Sequence, residues 1–419
     1  MVPTMSKMQK IKGFADLFPP ESTVFTHMET VAREVFGAYG CQEVRIPILE
    51  RTELFARSIG EETDVVQKEM YTFADRKGRS LTLRPEATAG VLRASIERGL
   101  SDGVTKLFTF GPMFRYERPQ KGRMRQFHQL DVEVLGAHAP QADAEVILML
   151  WTFLERLGIG GLRLELNSLG CPACRPAFHE SLRAFLAQIP AEALCEDCQR
   201  RKDTNPLRVL DCKVPGCREA TQQAPQIPEH LCPECSAHFA RVRAMVEAAG
   251  VPYTLNPRLV RGLDYYQRTT FEVLSGDIGA QSAVAGGGRY DGLIQALGGP
   301  PTPGIGFACG MERLALLVPP QAPAPMDFYL AVLEEGALDT ALVLGQQLRR
   351  HGFCGETAFE ARSPKSHLRQ ANKLGVKTCL LLGAEEMARG VIVLKDMATG
   401  AQTTVAQDDL AQALGLRTA

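Results

Sequence analysis

No stretch of this 419-residue chain is apolar over the length needed to cross a bilayer, and residues 1–12 lack the apolar core of an export signal. A membrane-spanning helix is therefore not expected, and a cytoplasmic location is. Net charge is equally scarce: 47 basic residues against 48 acidic ones leave -1, so any polyanion must be met by local basic surfaces. Internal repeats are absent as well, and with them a solenoid. What is present is an ordinary globular composition, 45% hydrophobic and 23% charged, in a chain too long for one core. Two or three domains are expected. The chain holds twelve cysteines, which in this context read as free thiols or metal ligands rather than disulfides.

Apolar residues recur at helical spacing over residues 21–40 (Val24, Met28, Val31, Val35, Phe36), and Gly40 is a stop. Residues 41–49 read as a strand leading through Pro47, and residues 70–83 as a hairpin turning at Arg76-Lys77-Gly78. Helical periodicity returns over 88–99. Two strand-like runs, 106–117 and 126–136, then enclose a polar loop, 118–125. Further elements follow: a helix over 142–157, strands over 162–167, 263–274, 282–289 and 304–309, and a helix from Met311. Residues 171–240, rich in Cys, Pro and charge, interrupt this order and read as an insertion. The Pro-rich stretch 319–326 is a stiff linker by composition and marks a domain boundary between 1–318 and 327–419. Beyond it strands alternate with helices, which argues for a small α/β domain with a largely parallel sheet.

The ribbon 106–136 has chemistry on it. Side chains alternate along a strand, so Arg115 and Glu117 share a face on the outgoing run, and Phe127, Gln129, Asp131 and Glu133 share one on the return. Phe108, Phe110, Phe114, Leu130, Val132 and Val134 fall on the opposite faces, suited to a core. A merely solvated strand face carries similar charge. The tip holds Arg118, Lys121, Arg123 and Arg125 without an acid, which suits phosphates, although a solubilising turn has the same composition.

Phe114-Arg115-Tyr-Glu117-Arg118 with Arg125-Gln-Phe127-His-Gln129 resembles motif 2 of class II aminoacyl-tRNA synthetases, and Gly304 through Gly310-Met-Glu312-Arg313-Leu resembles motif 3. The helix followed by a strand with Pro47 is compatible with motif 1. Three further segments resemble histidyl-tRNA synthetases in particular: Leu83-Arg84-Pro85-Glu86-Ala87-Thr88, Arg261-Gly-Leu-Asp264-Tyr265-Tyr266 with Thr270-Phe-Glu272, and Gly286-Gly-Gly-Arg289-Tyr290. The likeness runs over nearly the whole chain in the family's order. It implies an α+β catalytic domain on a mainly antiparallel sheet, a helical and loop-rich insertion, and a C-terminal α/β anticodon-binding domain.

The resemblance also implies substrates and roles. L-Histidine, ATP with Mg2+ and tRNA(His) are the expected partners of a homodimer. The histidine carboxylate attacks the α-phosphate, and fixed guanidiniums stabilise the charge that accumulates there. Arg115 is implied to hold the α-phosphate, Arg313 the γ-phosphate end and Arg123 the outer phosphates. Phe127 would stack on adenine and Glu117 accept from its amino group. Arg261 is implied to reach both the α-phosphate and the substrate carboxylate, where related synthetases place a metal ion; the plain alternative is an arginine paired with Asp264. Glu133 and Tyr266 would take the two ring nitrogens of histidine beside Tyr265. The run Glu86, Ala87, Thr88, together with Gln129, would hold the amino and carboxylate groups. Arg118 and Gln120 are the candidates for the acceptor end of tRNA. The rival class is a non-catalytic, histidine-binding regulatory subunit of ATP phosphoribosyltransferase. Such paralogues typically lack the C-terminal domain and lose the catalytic arginines, whereas here Arg115, Arg261, Arg313 and residues 327–419 are all present.

Within the insertion, Cys171/Cys174 and Cys195/Cys198 form C-x2-C-x20-C-x2-C, a spacing that suits tetrahedral Zn2+, and Cys212/Cys217 with Cys232/Cys235 offer a second set. Unligated thiols in a loop-rich insertion are the alternative. The resemblance neither supplies nor excludes a metal. In the C-terminal segment Arg362, Lys365, Arg369, Lys373 and Lys377 occur with no acid among residues 362–377, which fits RNA phosphates or a solvated helix face.

Overall fold

A computed structural model describes residues 8–60, 63–100, 103–278, 283–320 and 325–415. The chain divides into two compact units, Met1–Gln321 and Ala322–Ala419. Four residues of the Pro-rich stretch, 321–324, and Ser282 at the expected start of a strand lie outside the described residues. No described helix is long and apolar enough to cross a membrane.

The first unit is built on an eight-stranded sheet. Its centre is the ribbon Thr105–Phe114 and Gln126–Leu135, followed by Gly304–Gly310, Ala283–Arg289, Gln267–Ser275 and Leu162–Ser168, every neighbouring pair antiparallel. Only the edge strands Gln42–Glu43 and Tyr253–Leu255 pair in parallel. One face of this sheet is closed by the helices Glu21–Ala38, Pro140–Arg156 and Pro233–Ala248. Met28, Phe36, Leu150, Phe153 and Val242 pack there against Val132, Phe271 and Phe307, burying apolar area that stabilises the unit. With that face sealed by helices, the other is left for ligands. Behind the site a buried knot fixes the sheet to the helices: Arg289, fully buried, pairs with Asp143, donates to the Ala137 carbonyl and holds Asp291, while His238 Nε2 lies 2.9 Å from the other Asp143 oxygen.

Three expected elements differ in detail. The strand over 41–49 is two short strands, Gln42–Glu43 and Leu49–Arg51, in different sheets, because the Arg84 side chain takes the Ile46 and Pro112 carbonyls that a continuous ladder would use. The outgoing ribbon strand stops at Phe114, since its partner begins only at Gln126; Arg115 N–H still reaches the Arg125 carbonyl, and Tyr116 N–H turns to Glu69. Regular strand starts at Gln267 rather than 263, and its second residue, Arg268, stands at φ 52 with its N–H on the Gly170 carbonyl and its carbonyl accepting from Leu169 N–H.

In the second unit the order strand, helix, strand, helix, strand is present, but its five-stranded sheet is mixed rather than largely parallel. Phe328–Val332 pairs in parallel with Gly355–Thr357 and Thr378–Leu382, and a terminal hairpin, Val391–Asp396 with Gln402–Ala406, adds two antiparallel strands. All five residues of Phe328–Val332 are buried because helices cover both faces. Leu338–Arg350 packs on Phe328, Leu330 and Val332, and Pro364–Leu374 on Tyr329 and Ala331.

Candidate active site

Phe127, Gln129, Asp131 and Glu133, all on one face of the returning strand, open onto a cavity of about 460 Å³ in the first unit. The room for it comes from neighbouring strands that carry almost no side chains on this face. Gly306 lies opposite Glu133, Ala308 opposite Asp131 and Gly310 opposite Gln129, and one strand further Gly286 lies opposite Ala308. A methyl group on Gly306 would run into the Glu133 carboxylate and the Val132 carbonyl.

One end of the cavity is rich in buried acids. Glu86, Asp131 and Glu133 are each about 3% exposed or less, and they sit close enough to repel one another. Burial pushes Glu133 up to about 8, opposed by hydrogen bonds from Thr88 and Tyr290. Burial also raises Asp131 well above the usual carboxylate range, with Glu133 and Glu86 adding to it. The Glu86 carboxylate accepts from Thr88 N–H at 2.9 Å and Ala89 N–H at 2.8 Å, so it caps the helix Thr88–Glu97 that brings Thr88 to the cavity. Gln129 Oε1 and Asp131 Oδ2 are buried without a partner. Tyr265, Tyr266 and Tyr290 wall this end, with ring centroids 4.6 Å apart for the first pair and 5.8 Å for Tyr265 and Tyr290. Acceptors without donors, in an apolar aromatic slot, call for a ligand carrying N–H groups and positive charge.

The other end is cationic. Arg115 is steered by its Nε–H to the Pro85 carbonyl at 2.8 Å and lies with its guanidinium carbon 5.4 Å from the Phe127 ring centre. Arg123 pairs with Glu117 at 2.9 Å, and Arg313 donates to the carbonyls of Gly122 and Ala283. Between the two ends stands Arg261. Its partner is Glu272, at 2.6 Å, not Asp264, which receives the Asn205 amide instead. Arg261 Nε is buried and unpartnered, and the guanidinium lies over Gly286, where a side chain would collide with it.

Of the residues singled out in the sequence, Arg115, Arg261, Arg313, Glu117, Arg123 and Phe127 line the cavity, as do Glu86, Thr88, Gln129, Glu133, Tyr265 and Tyr266. Ala87 does not; it is fully buried at the cap of its helix. Arg118 and Gln120 are exposed on the ribbon tip, outside the cavity. Sequence reasoning assigned no role to Asp131, Tyr290 or Glu272. The alternation that selected Glu133 also placed Asp131 on its face, whereas Tyr290 and Glu272 stand in recognised motifs whose spacing does not give their partners, Glu133 on another strand and Arg261 in an irregular segment.

The four-cysteine set Cys171, Cys174, Cys195 and Cys198 is corrected by the structure. Cys171 and Cys174 group with Cys232 and Cys235, and Cys195 and Cys198 group with Cys212 and Cys217. The helix Arg175–Ala187 carries the chain away from the first pair, and Ile227–His230 brings it back, so the first pair meets the last one rather than the next.

A catalytic domain on a mainly antiparallel sheet, with an arginine at the end of a β-ribbon and another at the start of the helix after Gly304–Gly310, is that of the class II aminoacyl-tRNA synthetases. The family model described as Histidyl-tRNA synthetase matches residues 13–314, and that described as Anticodon binding domain matches 327–415. The chain is 64% identical over 407 residues to a histidine–tRNA ligase of Solidesulfovibrio magneticus, covering 97% of each. To that of Nitratidesulfovibrio vulgaris it is 64% identical over 413 residues, 98% of this chain and 99% of the other. The apo histidyl-tRNA synthetase of S. aureus superposes with a TM-score of 0.82 at 35% identity, covering 97% of this chain and 100% of that one. The chain belongs to the histidyl-tRNA synthetase family.

Proposed function

We propose that the protein joins L-histidine to tRNA(His) in two steps: histidine and ATP give histidyl-adenylate and diphosphate, and the terminal hydroxyl of the tRNA then takes the histidyl group, releasing AMP. The observation that carries this reading is one cavity with three guanidiniums, Arg115, Arg261 and Arg313, beside a buried acid-rich slot. ATP enters as its Mg2+ complex, with adenine on Phe127 and its amino group toward Glu117. Arg115 and Arg261 face the α-phosphate, where charge builds during attack, and Arg313 and Arg123 face the outgoing diphosphate. Histidine sits with its ring between Glu133 and Tyr266 beside Tyr265. Its ammonium meets the unpartnered acceptors of Gln129 and Asp131, near Glu86 and Thr88. The protein works in the cytoplasm as a homodimer. Histidine-dependent exchange of pyrophosphate into ATP tests the first step. A chain that binds histidine without exchange would be the regulatory subunit instead.

The acceptor end of the tRNA is met by Arg118 and Gln120 on the exposed ribbon tip, and the anticodon by the second unit. There Lys365, Arg369 and Lys373 are exposed at intervals of four along Pro364–Leu374, so they form one stripe. Arg362 and Lys377 are taken up by Glu360 and Asp327, both at 2.9 Å. Replacing all three stripe residues by Gln is expected to raise KM for tRNA roughly tenfold and to flatten its log–log salt dependence by about 2, at ~0.7 per lost single-strand phosphate contact. Pyrophosphate exchange, which needs no tRNA, should be unchanged. Deleting residues 327–419 should have the same selectivity, removing charging far more than exchange. Equal losses in both would count against an RNA-binding role for this unit.

A further inference from the structure

Two groups of four cysteines lie between residues 171 and 235, and in each all four sulfurs fall within 4.8 Å of one another. Cys171 Sγ stands 3.5 Å from Cys174 Sγ and 4.0 Å from Cys232 Sγ, and Cys195 Sγ stands 3.8 Å from Cys212 Sγ. A disulfide needs about 2.05 Å. The edge of a tetrahedron of thiolates around Zn2+, with bonds of about 2.3 Å, is about 3.8 Å. Backbone N–H groups point at the sulfurs as well, Cys232 to Cys174 at 3.2 Å and Cys195 to Cys217 at 3.0 Å, which stabilises thiolate charge. In each group two of the four sulfurs belong to buried residues and the rest to half-exposed ones, so the sites are enclosed yet reachable.

We propose that the protein holds two structural Zn2+ ions, one on Cys171, Cys174, Cys232 and Cys235 and one on Cys195, Cys198, Cys212 and Cys217, and that the two sites anchor opposite ends of the segment Arg261–Tyr266 that supplies the active site. Each Zn2+ displaces the thiol protons of its four ligands, with no electron transfer. The anchoring runs through two arginines. Arg175, next to Cys174, donates to the Tyr266 carbonyl and, at 3.3 Å, to the Leu169 carbonyl. Arg208, on the short helix Leu207–Leu210 between Cys198 and Cys212, donates to the Arg261 carbonyl at 2.9 Å. Residues 261–266 form neither helix nor strand, so no ladder of their own fixes where the Arg261 guanidinium and the tyrosine rings point. The first site also joins the two roots of the insertion. Cys171 follows the strand Leu162–Ser168, and Cys235 opens the helix Pro233–Ala248, which packs into the main core.

Elemental analysis of the full chain, purified without chelators, is expected to give two zinc per chain, and Cys232→Ser and Cys212→Ser one each. Co2+ in place of zinc should show thiolate-to-metal charge transfer and tetrahedral d–d absorption, halved in either variant. A metal-free protein, iron in place of zinc, or cysteines isolated as disulfides would overturn the metal assignment. Stripping the zinc should lower histidine-dependent pyrophosphate exchange at least tenfold, with recovery on adding zinc alone; unchanged exchange would overturn the anchoring. Arg208→Gln should keep both zincs and lower kcat of exchange about tenfold, with Arg208→Lys restoring most of it. The metal count does not depend on the proposed activity: two zinc on a chain inactive with histidine would leave the sites standing and reject the enzymatic reading.

Discussion

Arg261→Gln is expected to slow histidine-dependent pyrophosphate exchange by about 10²–10³-fold, the loss typical of removing one preorganised donor from a developing oxyanion. KM for histidine and for ATP should change far less, because other groups hold both ends of the cavity. The pair with Glu272 at 2.6 Å is what makes the side chain preorganised: it holds one amino group of the guanidinium and leaves the buried Nε without a partner until a substrate oxygen arrives. On the proposed reading, a cation fixed by the chain itself does the electrostatic work there. Gly286→Ala tests the same claim without touching the charge. The new methyl would lie 2.5 Å from Arg261 Nη1 and 2.7 Å from its Cζ, and the guanidinium is the far end of a flexible side chain. The arginine should therefore swing away while the sheet stays intact, lowering kcat with little change in thermal stability. Retained kcat in both variants would remove Arg261 from the mechanism.

The alternation of side chains on the ribbon, read from sequence, selects the row Phe127, Gln129, Asp131 and Glu133, and that row faces the cavity. The period of a strand is local information, and one face had to be buried. The cysteine grouping was not legible for the opposite reason. C-x2-C pairs are local, but which pair meets which depends on a helix leading out and a turn leading back, and spacing alone favoured the nearest neighbour. Tyr290 acts across the sheet on Glu133, so its partner follows from sheet order, 131–135 beside 304–308, which no short window contains. Glu272 is only eleven residues from Arg261 but meets it through a segment with no regular period to read. The mixed sheet of the second unit has a similar origin: the alternation of strands and helices is local, yet the placement of the terminal hairpin beside Thr378–Leu382 is a tertiary choice.

Glu133→Gln is expected to raise KM for histidine about 10–100-fold, the cost of about 1–3 kcal/mol for leaving a buried ring nitrogen mismatched, and to change its pH profile in a particular way. In the empty pocket Glu133 keeps its proton to about pH 8, whereas free histidine loses its ring proton near pH ~6.5. The complex needs one proton shared between carboxyl and ring. Between about 6.5 and 8 that proton is already on Glu133 and binding neither takes up nor releases one. Above about 8 neither partner holds it, so binding must take one up and KM rises about tenfold per pH unit; below about 6.5 both hold one, and release gives the acid limb. The amide of the variant cannot titrate, so Glu133→Gln should keep the acid limb and lose the alkaline one. The substrate ammonium titrates alike in both enzymes, and the difference between the two profiles isolates Glu133. Tyr290→Phe should displace the alkaline limb without removing it. The phenol donates to the Glu133 carboxylate and favours its ionised form, so its loss raises the pKa and moves the alkaline limb to higher pH. The same shift carries a stability signature in the empty protein: from about pH 4.3 to 8 the unfolded side chain is ionised and the folded one is not, so stability falls as pH rises through that window, and Glu133→Gln should flatten the fall. An alkaline limb that persists unchanged in Glu133→Gln would mean that another group reads the imidazole.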